Sequence, residues 1–142
     1  MLDRTGAAVG ARESRRILCD YVLSEADAYE GVDFPDVIAR RYGAIDQAGL
    51  TEQMEAEKKM KSGYGFPYRA LLVRGIEGLL AAGKCGSYTH LALAAGKSMG
   101  NMMAIGQAAG AAAALSVQAG CTPRELPFEK VQQKLREMGV RL

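Results

Sequence analysis

Side chains capable of acid–base or nucleophilic chemistry are scarce in this sequence of 142 residues. It has one histidine, His90, which excludes a histidine-rich metal site and leaves a Ser-His-Asp triad only one possible base. The three cysteines, Cys19, Cys85 and Cys121, lie far apart, and no pair has the Cys-x-x-Cys spacing of a metal or redox site. We therefore expect no metal site. The sparse thiols and the lack of a signal peptide predict a cytoplasmic protein with reduced cysteines.

The arginines are the other side chains with obvious binding potential. Arg12, Arg15 and Arg16 are close enough in sequence to form an anion site, but neighbouring acidic residues offer ion pairs as an alternative. Arg69 is a candidate for holding an anionic substrate group, and a salt bridge within the fold is the alternative. The net charge of +2 is too small to indicate binding to nucleic acid or to an anionic membrane surface.

A run of small residues from 91 to 119 follows the histidine, and it consists largely of Ala, Gly and Met. Its length and a Gly-x-x-x-Gly motif are compatible with a membrane span, but its alanine content and its polar residues argue against one. We interpret the run as a buried helix of a soluble fold. Residues at helical spacing form a flat strip that another backbone or a flat ligand can approach, and close packing on a sheet explains the strip by itself. The strip consists of Gly106, Ala109, Gly110, Ala113 and Ala114.

The elements that must position these residues include three predicted strands. Alternating apolar residues predict a strand over Arg15–Leu23, and a second is predicted over Tyr68–Val73. The apolar run Ile76–Ala82, bounded by glycines, predicts a buried strand that ends in a turn. A polar stretch from about 47 to 63 predicts a solvated loop or surface helix.

Helices are predicted from capping signals and periodicity. Ser24 is a helix N-cap with an acidic residue at N3, Pro35 suits the first turn of another short helix, and Thr122 opens a capping box. The small-residue run predicts two helices, roughly Leu91–Ala95 and Met99–Ala119. The last helix has an apolar face and ends at Gly139. That face consists of Phe128, Val131, Leu135 and Met138.

The order of several separate blocks carries a resemblance that covers about residue 10 to the C-terminus. The blocks are Gly10-Ala-Arg-Glu-Ser-Arg-Arg-Ile17, Cys19-Asp20-Tyr21, Asp33-Phe34-Pro35-Asp36, Phe66-Pro67-Tyr68-Arg69, Gly75-Ile76-Glu77-Gly78, Gly83-Lys84-Cys85, Thr89-His90, Met99-Gly100 with Met103 to Gly110, and Thr122-Pro123-Arg124-Glu125. This series resembles the C-terminal half of the FAD-dependent oxidoreductase family, whose members are often labelled heterodisulfide-reductase-subunit-A-like.

The resemblance implies an α/β class, α+β as seen in this chain alone, with a glutathione-reductase-like FAD fold. Residues 1–74 would belong to the substrate or cap region, and residues 75–142 to the C-terminal part of the FAD-binding domain. It implies FAD contacts at the end of a late strand and at the N-terminus of the following helix. These contacts are Gly83, Lys84, Cys85, Met99, Gly100, Asn101 and Met102. His90 and Arg69 are the catalytic candidates, and Arg12, Arg15, Arg16 and Tyr68 are candidates for binding substrate or an anion.

The 142 residues contain no Gly-x-Gly-x-x-Gly turn, which relatives of this kind use to bind the FAD pyrophosphate. We therefore expect a C-terminal portion that is inactive alone and needs the N-terminal FAD-binding half, or a partner chain, to complete the site. Exposed apolar surface from Gly106 to Leu115 and self-association are expected when that half is absent. Some family labels carry a 4Fe–4S cluster, but three scattered cysteines cannot supply four ligands, so none is assigned. The alternative is a non-catalytic packing or interaction module.

Overall fold

The computed structural model describes residues 5–8, 13–41 and 63–142. In these ranges the fold is mixed: four α-helices, one 3₁₀ turn and a two-stranded antiparallel sheet. In chain order the elements are α1 (Glu25–Glu30), β1 (Val37–Arg41), β2 (Tyr64–Pro67), a 3₁₀ turn (Tyr68–Ala70), α2 (His90–Gly96), α3 (Met99–Ala119) and α4 (Phe128–Glu137). The predicted mixed class is confirmed. The division at residue 74 stays a prediction, and most of the polar stretch 47–63 lies outside the described residues.

Helix predictions from capping chemistry are largely confirmed. At α1, the Ser24 hydroxyl accepts a hydrogen bond from the Asp27 amide, and the Asp27 carboxylate accepts one from the Ser24 amide, which forms a capping box. The two helices predicted in the small-residue run are α2 and α3. The capping box at Thr122 also forms, with the Thr122 amide donating to the Glu125 carboxylate at 2.8 Å. It closes a single turn, however, because α4 begins only at Phe128.

The helix predicted at Pro35 is wrong, because this proline lies inside a β-turn. The Val37 amide donates to the carbonyl of Phe34 at 3.1 Å, which sets Pro35 at the second position of the turn. Proline's fixed φ suits that position as well as it suits a first helical turn. The chain then continues as β1, which pairs with β2 in the register Ala39 opposite Phe66, with a bulge between Val37 and Ala39.

The three strand predictions are wrong in different ways. The segment 15–23 is extended but makes only isolated bridges, Cys19 with Val73 and Leu23 with Tyr88. Tyr68–Val73 begins with the 3₁₀ turn, since β2 ends at Pro67. The predicted strand Ile76–Ala82 is mostly exposed, because Gly75 and Gly78 adopt φ of +74° and +72° and turn the chain back on itself.

One main apolar core lies between the sheet and the helices. Aromatic rings from β2 and the segment before α2 meet there, with centroids 5.3 Å apart for Tyr64 and Phe66 and 6.0 Å apart for Phe66 and Tyr88. The buried faces of α3 and α4 pack on the same core. The side chain of Gln132 in α4 donates to the carbonyls of Pro35 and Val37, which fixes α4 against the start of β1.

Candidate functional site

The first turn of α3 is open to solvent on one side. Its N-cap, Ser98, is extended, and the Ser98 hydroxyl makes no capping hydrogen bond. The side chain of Met99 is 85% exposed, and a Cβ built on Gly100 would meet no described atom within 4 Å. The first backbone N–H groups of a helix have no partner inside the helix, and the helix dipole adds partial positive charge there. This turn therefore presents hydrogen-bond donors beside an apolar surface.

The remaining two residues of this turn face the protein more closely. Met102 is half-buried and packs against the apolar core. The amide nitrogen Nδ2 of Asn101 is buried and has no hydrogen-bond partner among the described residues. An unpaired buried donor costs about 1–3 kcal/mol, so it is a notable feature of a folded protein.

The predicted contacts at Gly83, Lys84 and Cys85 lie in a turn rather than at a strand end. Gly83 has φ of +88°, and its carbonyl accepts from the Gly86 amide at 3.1 Å. Lys84 and Cys85 are exposed. The thiol of Cys85 donates weakly to the Ala82 carbonyl at 3.4 Å. Within the described ranges, no hydrogen bond or ion pair connects this turn to the first turn of α3.

Glu13 brings two of the predicted residues together. Its carboxylate pairs with Arg16 and also lies 2.6 Å from Nδ1 of His90. Arg16 additionally donates to the carbonyl of Tyr88 at 3.1 Å. His90 is the first residue of α2 and is 60% exposed, so it lies at the surface. Arg15 is exposed, and Arg12 lies outside the described residues.

The cluster connects the segment 13–17 to the segment 85–90. The Ile17 amide donates to the Cys85 carbonyl at 2.7 Å, in the same pair of segments that holds Glu13 near His90. Of the two interpretations of Arg16, an ion pair with a neighbouring acid is the one seen in this structure. His90 lies against the same carboxylate, with an imidazole that is largely exposed.

Arg69 is held within the fold, which is the salt-bridge alternative for this residue. Its Nη1 lies 3.4 Å from Oδ1 of Asp36, and the backbone amide of Arg69 donates to Oδ2 of the same carboxylate at 3.1 Å. The guanidinium lies over the rings of Tyr21 and Phe34, at 4.8 and 5.5 Å from their centroids. The nearby Tyr68 is buried, and its hydroxyl donates to the Pro123 carbonyl at 2.7 Å.

Arg124 connects three parts of the chain and was not singled out from the sequence. Its guanidinium pairs with Asp20 and Glu77, and it donates to the Val73 carbonyl at 2.9 Å. The sequence feature that could have indicated its role is its position inside the Thr122–Glu125 capping box, which by itself predicts only a helix start. Arg124 instead fixes that turn against the loop that follows Val73.

The described residues contain no cluster of three or more His, Cys, Asp or Glu that could hold a metal ion. Burial raises the pKa of the Cys19 thiol, and neighbouring Cys85 adds to this effect against a hydrogen bond to Ser87. A thiol with a raised pKa is a poor nucleophile at neutral pH.

One helix in the described ranges, α3, has the length and apolar composition that a membrane crossing requires.

The chain belongs to the family described as FAD dependent oxidoreductase, whose model matches residues 1–135. No curated protein and no solved structure matches it. Membership implies an origin among flavin-dependent redox enzymes. The narrower heterodisulfide-reductase-subunit-A-like label stays a prediction.

Proposed function

We propose that this chain supplies the isoalloxazine and ribityl side of an FAD site. The residues that would hold FAD are Gly83, Lys84, Cys85, Met99, Gly100, Asn101 and Met102. FAD, when bound, supplies the redox chemistry, while the protein supplies orientation and electrostatics. The observation that carries the proposal is the open first turn of α3 in a chain whose family binds FAD.

The residues of this turn fit a flat ring with hydrogen-bond acceptors along one edge. A Cβ built on Gly100 would meet no described atom within 4 Å, so a ring edge could approach the backbone at this residue. The buried Nδ2 of Asn101 is a donor that has no partner among the described residues. Met99 offers an exposed, polarisable wall beside the backbone N–H groups of the turn.

Charge at this end of α3 favours an electron-rich ligand edge. The N–H groups of a helix N-terminus stabilise negative charge by about 0.3–1 kcal/mol at an exposed site. The flavin pyrimidine edge gains negative charge on reduction, so these donors would favour the reduced form. Lys84 stands at a position where we expect relatives to have arginine. Lysine also carries a positive charge, but its ammonium group cannot donate two parallel hydrogen bonds as the planar guanidinium of arginine does.

The FAD pyrophosphate requires a binding turn that these 142 residues do not contain. We therefore include in the proposal a second polypeptide segment that carries a Gly-x-Gly-x-x-Gly turn, in the same protein or in a partner chain. Without that segment we expect little or no redox activity. A cytoplasmic location is part of the proposal, since FAD and reduced thiols are both compatible with it. The proposal also includes a small-molecule substrate.

The test is to co-purify the chain with a neighbouring gene product that carries such a turn and to record the visible flavin spectrum. We expect bound flavin in the wild-type complex and its loss in Gly100→Glu, which puts a carboxylate against the electron-rich ring edge. This variant should fold, because replacing glycine and adding negative charge in a first helical turn both favour the helix. Gln107→Glu adds the same charge in the exposed middle of α3, so it should keep its flavin.

A second candidate is a non-catalytic interaction module that has lost flavin binding. The outer face of α3 favours it, because this face is exposed and carries no charged residue. A colourless complex that takes up no added FAD would support this module and sink the flavin proposal. Equal flavin binding by the Gly100 and Gln107 variants would instead show that the site lies elsewhere.

A further inference from the structure

The single histidine of the sequence has a carboxylate on one of its two ring nitrogens. Nδ1 of His90 lies 2.6 Å from Oε2 of Glu13, although 77 positions separate the two residues. An ionised carboxylate accepts hydrogen bonds and donates none. In a neutral imidazole this contact therefore requires the ring proton to be on Nδ1, which leaves Nε2 with a free lone pair.

The nitrogen with the lone pair is on the open side of the ring. Among the described residues, Nε2 of His90 has no hydrogen-bond partner. The side chain of His90 is 60% exposed, and Glu13 covers the Nδ1 side. A ligand can therefore approach the imidazole on the side away from the carboxylate.

A second cation holds the Glu13 carboxylate against the ring. Oε1 of Glu13 pairs with Nη2 of Arg16, so each carboxylate oxygen has its own partner. Nη1 of the same guanidinium donates to the carbonyl of Tyr88 at 3.1 Å, two residues before His90. The contacts thus form a closed ring that runs from Tyr88 through Arg16 and Glu13 to His90. A carboxylate held in this way cannot turn away from the imidazole without losing a second partner.

Hydrogen bonds to the backbone fix the two segments that carry this ring of contacts. The Ile17 amide donates to the Cys85 carbonyl at 2.7 Å, and the Cys19 amide donates to the Ser87 hydroxyl at 3.2 Å. An isolated ion pair on a protein surface is weak, partly because two long side chains must be held in one arrangement. Here the two backbones are already held together, so the fold itself sets the position of the carboxylate relative to the imidazole.

We propose that Glu13 is a positioning residue, which fixes the imidazole of His90 as the Nδ1–H tautomer and presents Nε2 as a proton acceptor at the surface. The carboxylate also stabilises the positive charge that forms on the ring when Nε2 takes up a proton, as in other carboxylate–histidine pairs.

Such an acceptor suits a substrate with a hydroxyl group. Oxidation of a hydroxyl group to a carbonyl removes a hydride from carbon and a proton from oxygen. The proton would go to Nε2 of His90, and the hydride requires an acceptor such as an oxidised flavin. This choice of substrate class rests on the proposed function, whereas the tautomer of His90 does not.

The alternative is an ion pair that only ties the segment 13–17 to α2. That pair needs an imidazolium ring, in which both nitrogens carry protons, and it places no demand on the neutral ring. The two roles therefore differ once the imidazole is neutral. A positioned ring keeps its proton on Nδ1, while a ring released from an ion pair adopts the tautomer that histidine prefers in water, with the proton on Nε2.

Nitrogen-15 NMR of the full 142-residue chain, purified without a histidine tag, tests the proposal, because the chain contains one imidazole. At about pH 9 an ordinary imidazole is neutral, and the shift of each ring nitrogen shows whether it carries the proton. In the wild type we expect a protonated Nδ1 and a bare Nε2. Glu13→Ala should reverse this tautomer ratio. A wild-type ring with its proton on Nε2 would overturn the proposal, whether or not the variant folds.

Glu25→Ala is the matched control. Glu25 is another acid at the start of α2, but its carboxylate accepts from the Thr89 hydroxyl at 2.7 Å rather than from the imidazole. This variant should leave the signals of both ring nitrogens in place. An unchanged ratio in Glu13→Ala, or the same reversal in both variants, would also overturn the proposal. The measurement needs no flavin, so its failure would leave the flavin site standing, and a complex without flavin would leave the role of Glu13 standing.

Discussion

Two neighbouring helices that are both rich in alanine and glycine have different surroundings in this protein. In α2 the small residues are enclosed, and a Cβ added to Gly96 would lie 3.0 Å from the Tyr64 hydroxyl and 3.1 Å from Cζ of Phe66. On the outer face of α3, a Cβ added to Gly106 or Gly110 would meet no described atom within 4 Å. The residue types are alike, but only α2 has neighbours that require them to be small.

The contrast shows that alanine and glycine content does not determine whether a helix is packed. In α2, the aromatic rings of β2 leave room for a methyl group or less, so small residues follow from the packing. On the outer face of α3, a Cβ added to a glycine would meet no described neighbour, so the packing of the described residues does not explain why the residues there are small. The expected exposure of Gly106, Gly110, Ala113 and Ala114 is confirmed. Close packing of this strip on a sheet outside the described residues stays a prediction.

Removing a large side chain from α2 should produce the largest effect. Leu93 is fully buried, so Leu93→Ala should lower the free energy of unfolding by about 2–5 kcal/mol. The matched control is Leu79→Ala, at an exposed position in the loop before α2, which should cost less than about 1 kcal/mol. Denaturant titration of both variants measures the difference. Equal costs would show that α2 is not the packed centre of the fold.

The helices of this fold are largely predictable from sequence, while its strands are not. Caps act over three or four residues, so Ser24 with Asp27 indicates α1 directly. The pairing of β1 with β2 joins residues on either side of the segment 42–62, so no local pattern indicates it. In addition, β1 follows a turn at Pro35 that the sequence presents equally well as a helix start. The apolar run from Ile76 to Ala82 does not form the predicted strand, because Gly75 and Gly78 adopt positive φ and break the extended backbone.

The candidate site was predictable to a lesser extent than the helices. Family resemblance indicated the first turn of α3, and the structure finds that turn open. Sequence could not show that Glu13 lies between Arg16 and His90, since that contact spans 77 positions. Nor could it show that Arg69 is held by Asp36 and two aromatic rings. Contacts of this length depend on how the whole chain packs, and no local pattern encodes them.

Adding side-chain volume should distinguish the surroundings of α2 from those of α3 more directly than removing volume does. Gly96→Val should lower the free energy of unfolding by about 1–3 kcal/mol, because the new methyl groups would overlap two buried rings. Gly106→Val is the matched change on the open face and should stay within about 0.5 kcal/mol, since valine is a slightly better helix former than glycine. A large loss of stability in Gly106→Val would show that the outer face of α3 is covered in the isolated chain.

The smallest expected change in the free energy of unfolding comes from removing one buried tyrosine hydroxyl. The size of this change depends on whether that hydroxyl makes a hydrogen bond. Tyr68→Phe removes the hydrogen bond to the Pro123 carbonyl and should cost about 1 kcal/mol at neutral pH. Tyr29→Phe is the control, because the Tyr29 hydroxyl is buried with no partner among the described residues. Its removal should be neutral or slightly stabilising.

Alkaline titration sharpens this last comparison. Burial, with a smaller contribution from Cys121, raises the pKa of Tyr68 to about 12, so the folded state holds this proton more tightly than the unfolded state does. The resulting stability is fully present below the ordinary tyrosine pKa of about 10 and is lost as the pH rises toward 12. The Tyr68→Phe variant has no hydroxyl proton at this position and so cannot lose this stability. The difference in free energy of unfolding between wild type and this variant should therefore become smaller above about pH 10. Denaturant titrations at neutral and alkaline pH measure that gap, and a constant gap would mean that Tyr68 ionises equally easily in both states.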